Sequence, residues 1–210
     1  MRWRKHKLPA ATIDPTNAAR VTPWTRWQTR TQINTIAFAP DGQTLVAGSW
    51  DRTNRFNDGS VRLWRVADGT LLRSLIDRVT PVESLVFLPD GQTVVLGTRD
   101  GTVDLWRISD GALIDSFMTH ESGLTSLALA PDGQTLASVG YEVMVRLWRL
   151  PNHTSLRAFQ SGLTGLMSVA FAPDGQTLAA ASGGIDQTVR LWQLSDSTLH
   201  QSLKHHTSFV

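Results

Sequence analysis

The segment FAPDGQTL at residues 38–45 decides the reading, because it returns as FLPDGQTV at 87–94, LAPDGQTL at 129–136 and FAPDGQTL at 171–178. In each copy proline presets φ, aspartate suits a type I turn and glycine supplies a left-handed residue. PDG is therefore expected as a three-residue hairpin loop, and Asp41, Asp90, Asp132 and Asp174 as turn residues. A second marker, Leu-Trp, recurs at Trp64, Trp106, Trp148 and Trp192, in steps of 42, 42 and 44 residues. A fixed period in this range marks a repeat architecture.

Working outward from the turn, each unit shows one grammar. An apolar run such as SLVFLP (84–89) precedes PDG, a second such as TLASVG (135–140) follows it, and VRLWRV (61–66) leads into ADGTLLRSL (67–75). Four strands per unit follow. The first run is apolar at nearly every residue, as in a strand buried on both faces, and five to seven residues are too few for an ordinary helix. The expected fold class is all-β, with four-stranded antiparallel blades stacked in series.

At this point the repeats resemble those of WD-repeat β-propellers, in the variety common in bacteria, through FAPDGQTLVAGSWDRT (38–53), VRLWRVADGTLLRSL (61–75) and their three further copies. The resemblance covers residues 33 to about 203. It implies a buried network of a His, a strand Ser or Thr, a turn Asp and the repeat Trp in each blade. Only the third unit nearly keeps that set, as His120, Ser138, Glu142 and Trp148. At the Ser position the others carry Ala47, Leu96 and Ala180, so they are expected to depend more on packing. Trp-Asp itself is Trp-Arg at Trp64, Trp106 and Trp148 and Trp-Gln at Trp192.

The expected organisation is a basic, disordered tail at 1–20, a latch segment at 21–32, and blades at 33–76, 77–118, 119–160 and 161–203. Residues 204–210 align with the start of a fifth blade. Within the latch segment, Trp24 and Trp27 fall in phase with an outer strand, although Pro23 weakens it and an irregular arm fits as well. Closed rings of this resemblance have about seven or eight blades, so four leave an arc. Each end of it would expose roughly 600 Å², or about 15 kcal/mol of unrealised apolar burial. Three arrangements answer this: missing blades of a longer parent chain, two chains joined head to tail as a homodimer, or closure by four blades alone.

Composition narrows the function classes. With 41% hydrophobic and 18% charged residues, the 210-residue chain suits a globular fold. Its apolar runs, such as LTSLALAP (124–131), fall far short of a membrane-spanning helix, and no membrane partner is expected. Cysteine is absent, which fits a cytoplasmic location. The net charge is +2, of which Arg2, Arg4, Lys5 and Lys7 supply +4 and the other 203 residues −2, and a solvated tail explains these cations better than nucleic-acid binding does. No nucleophile elbow, P-loop or HExxH motif occurs, so no enzyme, cofactor or metal site is expected. His200, His205 and His206 are of a type that binds metals, but two of them fall in the unfinished fifth unit.

Binding to a protein partner, of unknown identity, remains. Just before the turn acid of each unit stands Trp50, Arg99, Tyr141 or Ile185, on one rim at the loop between the second and third strands. Trp, Tyr and Arg are residue types of interaction hot spots, although ordinary surface variation gives the same pattern. The first unit also carries seven extra residues at 54–60, including Arg55 and Phe56, which read equally as a contact loop or a neutral insertion. The expected function is a non-catalytic protein-interaction scaffold. The runner-up is a regulatory or sensor segment of a multidomain protein, and a propeller enzyme comes third.

Overall fold

The computed structural model describes residues 32–50 and 59–204 except 79, 163, 185 and 197, and describes no side chain at 76–78 or 151. The tail, the latch segment up to residue 31, Arg55, Phe56, Ile185 and residues 205–210 lie outside the described residues.

Sixteen strands form four sheets, each with its strands in sequence order. Blade 1 is β1 Gln32–Phe38, β2 Thr44–Trp50, β3 Gly59–Arg65 and β4 Leu71–Arg78. Blade 2 is β5 Val82–Phe87, β6 Thr93–Thr98, β7 Thr102–Arg107 and β8 Leu113–Met118. Blade 3 is β9 Leu124–Leu129, β10 Thr135–Gly140, β11 Met144–Arg149 and β12 Thr154–Gln160. Blade 4 is β13 Leu166–Phe171, β14 Thr177–Ser182, β15 Val189–Gln193 and β16 Thr198–Leu203. Every pairing is antiparallel, and the repeat tryptophans sit in register opposite Leu45, Val94, Leu136 and Leu178 of the neighbouring strand.

The PDG hairpins are one residue longer than the three-residue loop expected from sequence. Ala39 donates its N–H to the Thr44 carbonyl at 2.8 Å, so Pro40 to Gln43 form a four-residue loop. The reason is the aspartate: Asp41 Oδ1 accepts the Gln43 N–H at 2.8 Å and draws that residue into the turn. Asp90, Asp132 and Asp174 do the same for Gln92, Gln134 and Gln176, with the following glycines at φ between 62° and 68°.

Blades stack through their inner strands, β1 on β5, β5 on β9 and β9 on β13. No comparable packing joins blade 4 to blade 1 among the described residues, so the four blades form an open arc. Three apolar clusters hold it. Val46, Val61 and Leu63 of blade 1 pack on Val82, Leu85 and Phe87 of blade 2, and equivalent residues repeat this at the next two junctions.

Polar clips reinforce each junction at one recurring position of the outer strand. Arg73 of β4 donates to the Ser109 and Asp110 carbonyls of blade 2, Asp115 of β8 lies 2.7 Å from His153 Nε2 of blade 3, and Arg157 of β12 donates to the Leu194 carbonyl of blade 4. Gly101 marks a closer approach. Its carbonyl accepts the Thr119 N–H and hydroxyl, and a Cβ there would stand 1.6 Å from the His120 carbonyl oxygen.

Candidate functional site at the rim

The loops between second and third strands gather three of the four rim residues singled out by sequence. Arg99 follows β6 and is anchored by its N–H to the Pro81 carbonyl at 2.9 Å. From there its guanidinium reaches over its neighbours on both sides. Its Cζ lies 4.7 Å from the Trp50 ring centroid in blade 1 and 5.9 Å from that of Tyr141 in blade 3. Each blade supplies one member, so the ladder exists only because the blades stack.

Arg99 and Tyr141 are exposed and Trp50 is half-buried. A guanidinium flanked by aromatic faces is held by cation–π attraction, while its planar donor edge stays available to a carboxylate or carbonyl. Glu83 Oε1 lies 3.6 Å from an Arg99 terminal nitrogen, too long for a hydrogen bond but close enough to fix the charge. Glu83 was missed in the sequence. Its only signal was an acid in an otherwise apolar strand.

Behind the rim, blade 3 brings His120, Ser138, Glu142 and Trp148 together. The Trp148 indole donates to Ser138 Oγ at 2.9 Å, and His120 Nε2 lies 3.0 Å from the same oxygen. His120 Nδ1 faces Glu142 Oε2 at 3.5 Å. A bare nitrogen facing a carboxylate would be repulsive, so the proton belongs on Nδ1 and the Ser138 hydroxyl donates to Nε2. Burial pushes the His120 imidazole below its ordinary value of 6.5, with the Arg146 charge adding to it and Glu142 opposing.

Glu142 is the pivot. Burial raises its carboxyl, but the N–H groups of Ser122 and Glu121, together with Arg146, outweigh that and hold it below the ordinary 4.5. Arg146 pairs with Glu142 at 2.9 Å and also donates to the Thr119 carbonyl. Ser138 and His120 are fully buried, and through them the group ties the segment before β9 to β10 and β11. Arg146 was not anticipated, although its place in the VRLW motif put it next to the turn acid.

The other blades, expected to depend more on packing, carry a polar tie of their own. Two residues beyond the lost Ser position, each carries a hydroxyl on the same face of the strand. Ser49 meets the Ser60 hydroxyl at 2.6 Å, Thr98 donates to Asp100 at 2.7 Å and to the Thr102 carbonyl at 2.9 Å, and Ser182 donates to the Thr188 carbonyl at 3.1 Å. A hydroxyl there reaches the end of the next strand and closes the loop locally. In blade 4 the turn acid, Asp186, pairs with Arg190 at 2.6 and 3.1 Å.

Of the repeat tryptophans, Trp192 is buried and Trp64, Trp106 and Trp148 are half-buried. Among the described residues no group of three or more His, Cys, Asp or Glu side chains is placed to hold a metal ion, and no helix is long and apolar enough to cross a membrane.

Four stacked antiparallel sheets with this turn and tryptophan frame define a β-propeller array. The chain matches the family described as WD domain, G-beta repeat over residues 25–65, 69–107, 111–149 and 153–193, and it belongs to the WD40-repeat family. Each matched repeat from the second onward starts at the outer strand of one blade and ends at the third strand of the next. Many solved chains share the fold. One, titled "Structure of U3-55K", is 16% identical with a TM-score of 0.75 over 88% of this chain and 55% of that one. The chain thus spans about half the length of that relative. No curated protein matches the chain in sequence.

Proposed function

We propose that the chain is a non-catalytic protein-interaction platform, and that its partner docks on the rim formed by Trp50, Arg99 and Tyr141. The observation that carries this reading is the ladder itself, with Arg99 set between aromatic rings from two neighbouring blades. Hot-spot side chains held in place before contact lose little ordering entropy when a partner arrives. The Arg99 donors not turned to Glu83 suit an acidic side chain or an exposed carbonyl of that partner. WD40 repeats mediate protein–protein contacts as a family, which agrees with this use of the rim.

The test is selection of displayed peptides on the immobilised full chain, followed by affinity measurement. Arg99→Ala is expected to weaken the selected peptides roughly tenfold or more, which corresponds to about 1.4 kcal/mol. Gln134→Ala, on the PDG loop of blade 3, is expected to leave them unchanged. Peptides that bind the folded Trp50→Ala, Arg99→Ala, Tyr141→Ala triple variant as tightly as the native chain would remove the rim from the proposal.

A further inference from the structure

The two ends of the arc are the two halves of one interface, and the positional comparison along the repeats shows it. Leu85, Leu127 and Val169 occupy one position on the inner strands of blades 2, 3 and 4, where the preceding blade leaves them only 4%, 5% and 6% exposed. The same position in blade 1 is Ile36, at 60%. Phe38 is 59% exposed, while its counterpart Phe87 is buried and Leu129 and Phe171 are half-buried. Blade 1 therefore presents an apolar leading face of the kind that every other blade buries.

Blade 4 presents the matching half. Val61, Val103 and Val145 are fully buried by the blade that follows them, and their counterpart Val189 is only half-buried. Phe117 and Phe159 of β8 and β12 pack on Trp148 and Trp192 of the next blade, with centroids 5.5 and 5.2 Å apart. Leu203 of β16 holds that position in blade 4 and is exposed, as is Ala170 on β13. The clip position of Arg73, Asp115 and Arg157 continues as Gln201, which points out on an exposed strand with no following blade to receive it among the described residues.

We infer that a second copy of this chain docks end to end on the arc, the trailing face of blade 4 in one copy covering the leading face of blade 1 in the other. The occupant follows from continuity. Three such junctions already exist within the chain, and the fourth needs only surfaces that every copy carries. Head-to-tail contacts of this kind close into a ring when the rotation permits, and two four-blade arcs bring both ends of each copy into contact. The inference is independent of the rim, because Trp50 at the end of β2 and Arg99 and Tyr141 in the loops lie at one edge of the sheets.

The experiment is light scattering on the full chain over a range of concentrations, with variants on each half. The native chain is expected at twice 23.1 kDa. Ile36→Glu breaks the leading face and Ala170→Glu the trailing face, and both are exposed positions that accept charge in the folded arc. Each variant alone is expected at the monomer mass with an unchanged circular dichroism spectrum. Mixed, they are expected to form a one-to-one dimer, since each keeps the half that the other has lost. A ladder of higher masses abolished by the same variants supports end-to-end docking in open form. A monomeric native chain, a dimer that survives Ile36→Glu, or a mixture that stays monomeric overturns the inference, the first without any variant having to fold.

Discussion

Blades 2 and 3 share their strand order and PDG turns, yet they tie the loop beside the rim by opposite means. In blade 3 a single hydroxyl, Ser138, joins His120 to Trp148. In blade 2 the same position is Leu96, fully buried, and the Trp106 indole nitrogen lies buried with no hydrogen-bond partner. Its polar tie has moved two residues along the strand to Thr98, which binds Asp100, and Asp100 in turn accepts the Thr80 hydroxyl at 3.1 Å from the segment between blades. The lesson is that the blade requires one satisfied polar closure at that corner, while its address along the strand is negotiable.

Substitutions separate the two solutions. The largest effect is expected from Leu96→Ala, which removes a fully buried side chain at the junction of blades 1 and 2 and should cost about 2–5 kcal/mol in urea unfolding. Ser138→Ala in blade 3 should cost less, about 1–3 kcal/mol, because it creates almost no cavity but leaves the Trp148 N–H and His120 Nε2 without their shared partner. Equal costs would mean that the two corners are not alternatives. A sharper contrast comes from phenylalanine at the two tryptophans. Trp148→Phe gives up a hydrogen bond and Trp106→Phe gives up an unsatisfied N–H, so the first should be more destabilising by about 1 kcal/mol.

The smallest effect is pH-dependent and comes from His120 of blade 3. His120 is held below its ordinary 6.5 in the folded chain, so between that value and the lower folded one the unfolded state binds the extra proton. Stability is then fully present above about pH 6.5 and falls as the pH drops through that window. Glu142, also held low, adds its own loss only below its ordinary 4.5. Unfolding curves measured at successive pH values should show the upper step in the native chain and not in His120→Gln. A step that persists in the variant would assign it elsewhere.

The turn and the tryptophan frame were legible in the sequence because each is enforced by local chemistry: an aspartate that accepts the backbone N–H two residues on, and a glycine at positive φ. The blade 3 set was legible for a different reason, since the family resemblance implied it and gave His120, Ser138, Glu142 and Trp148 their places in the repeat. The replacement hydroxyls Ser49, Thr98 and Ser182 were not, because their value depends on how far each strand runs before its loop. The rim residues were picked out one by one. That Arg99 spans Trp50 and Tyr141 was hidden, because it depends on how neighbouring blades stack.

The clips on the outer strands bear on how such a chain changes its length over generations. Arg73 grips main-chain carbonyls, which every residue type possesses, so a unit copied by gene duplication is expected to find a fitting neighbour there without any matching mutation. The junction of blades 2 and 3 is different, because Asp115 and His153 recognise each other as side chains. Insertion of a whole unit is therefore expected to be easier at the first junction than at the middle one, where two side chains would have to be matched.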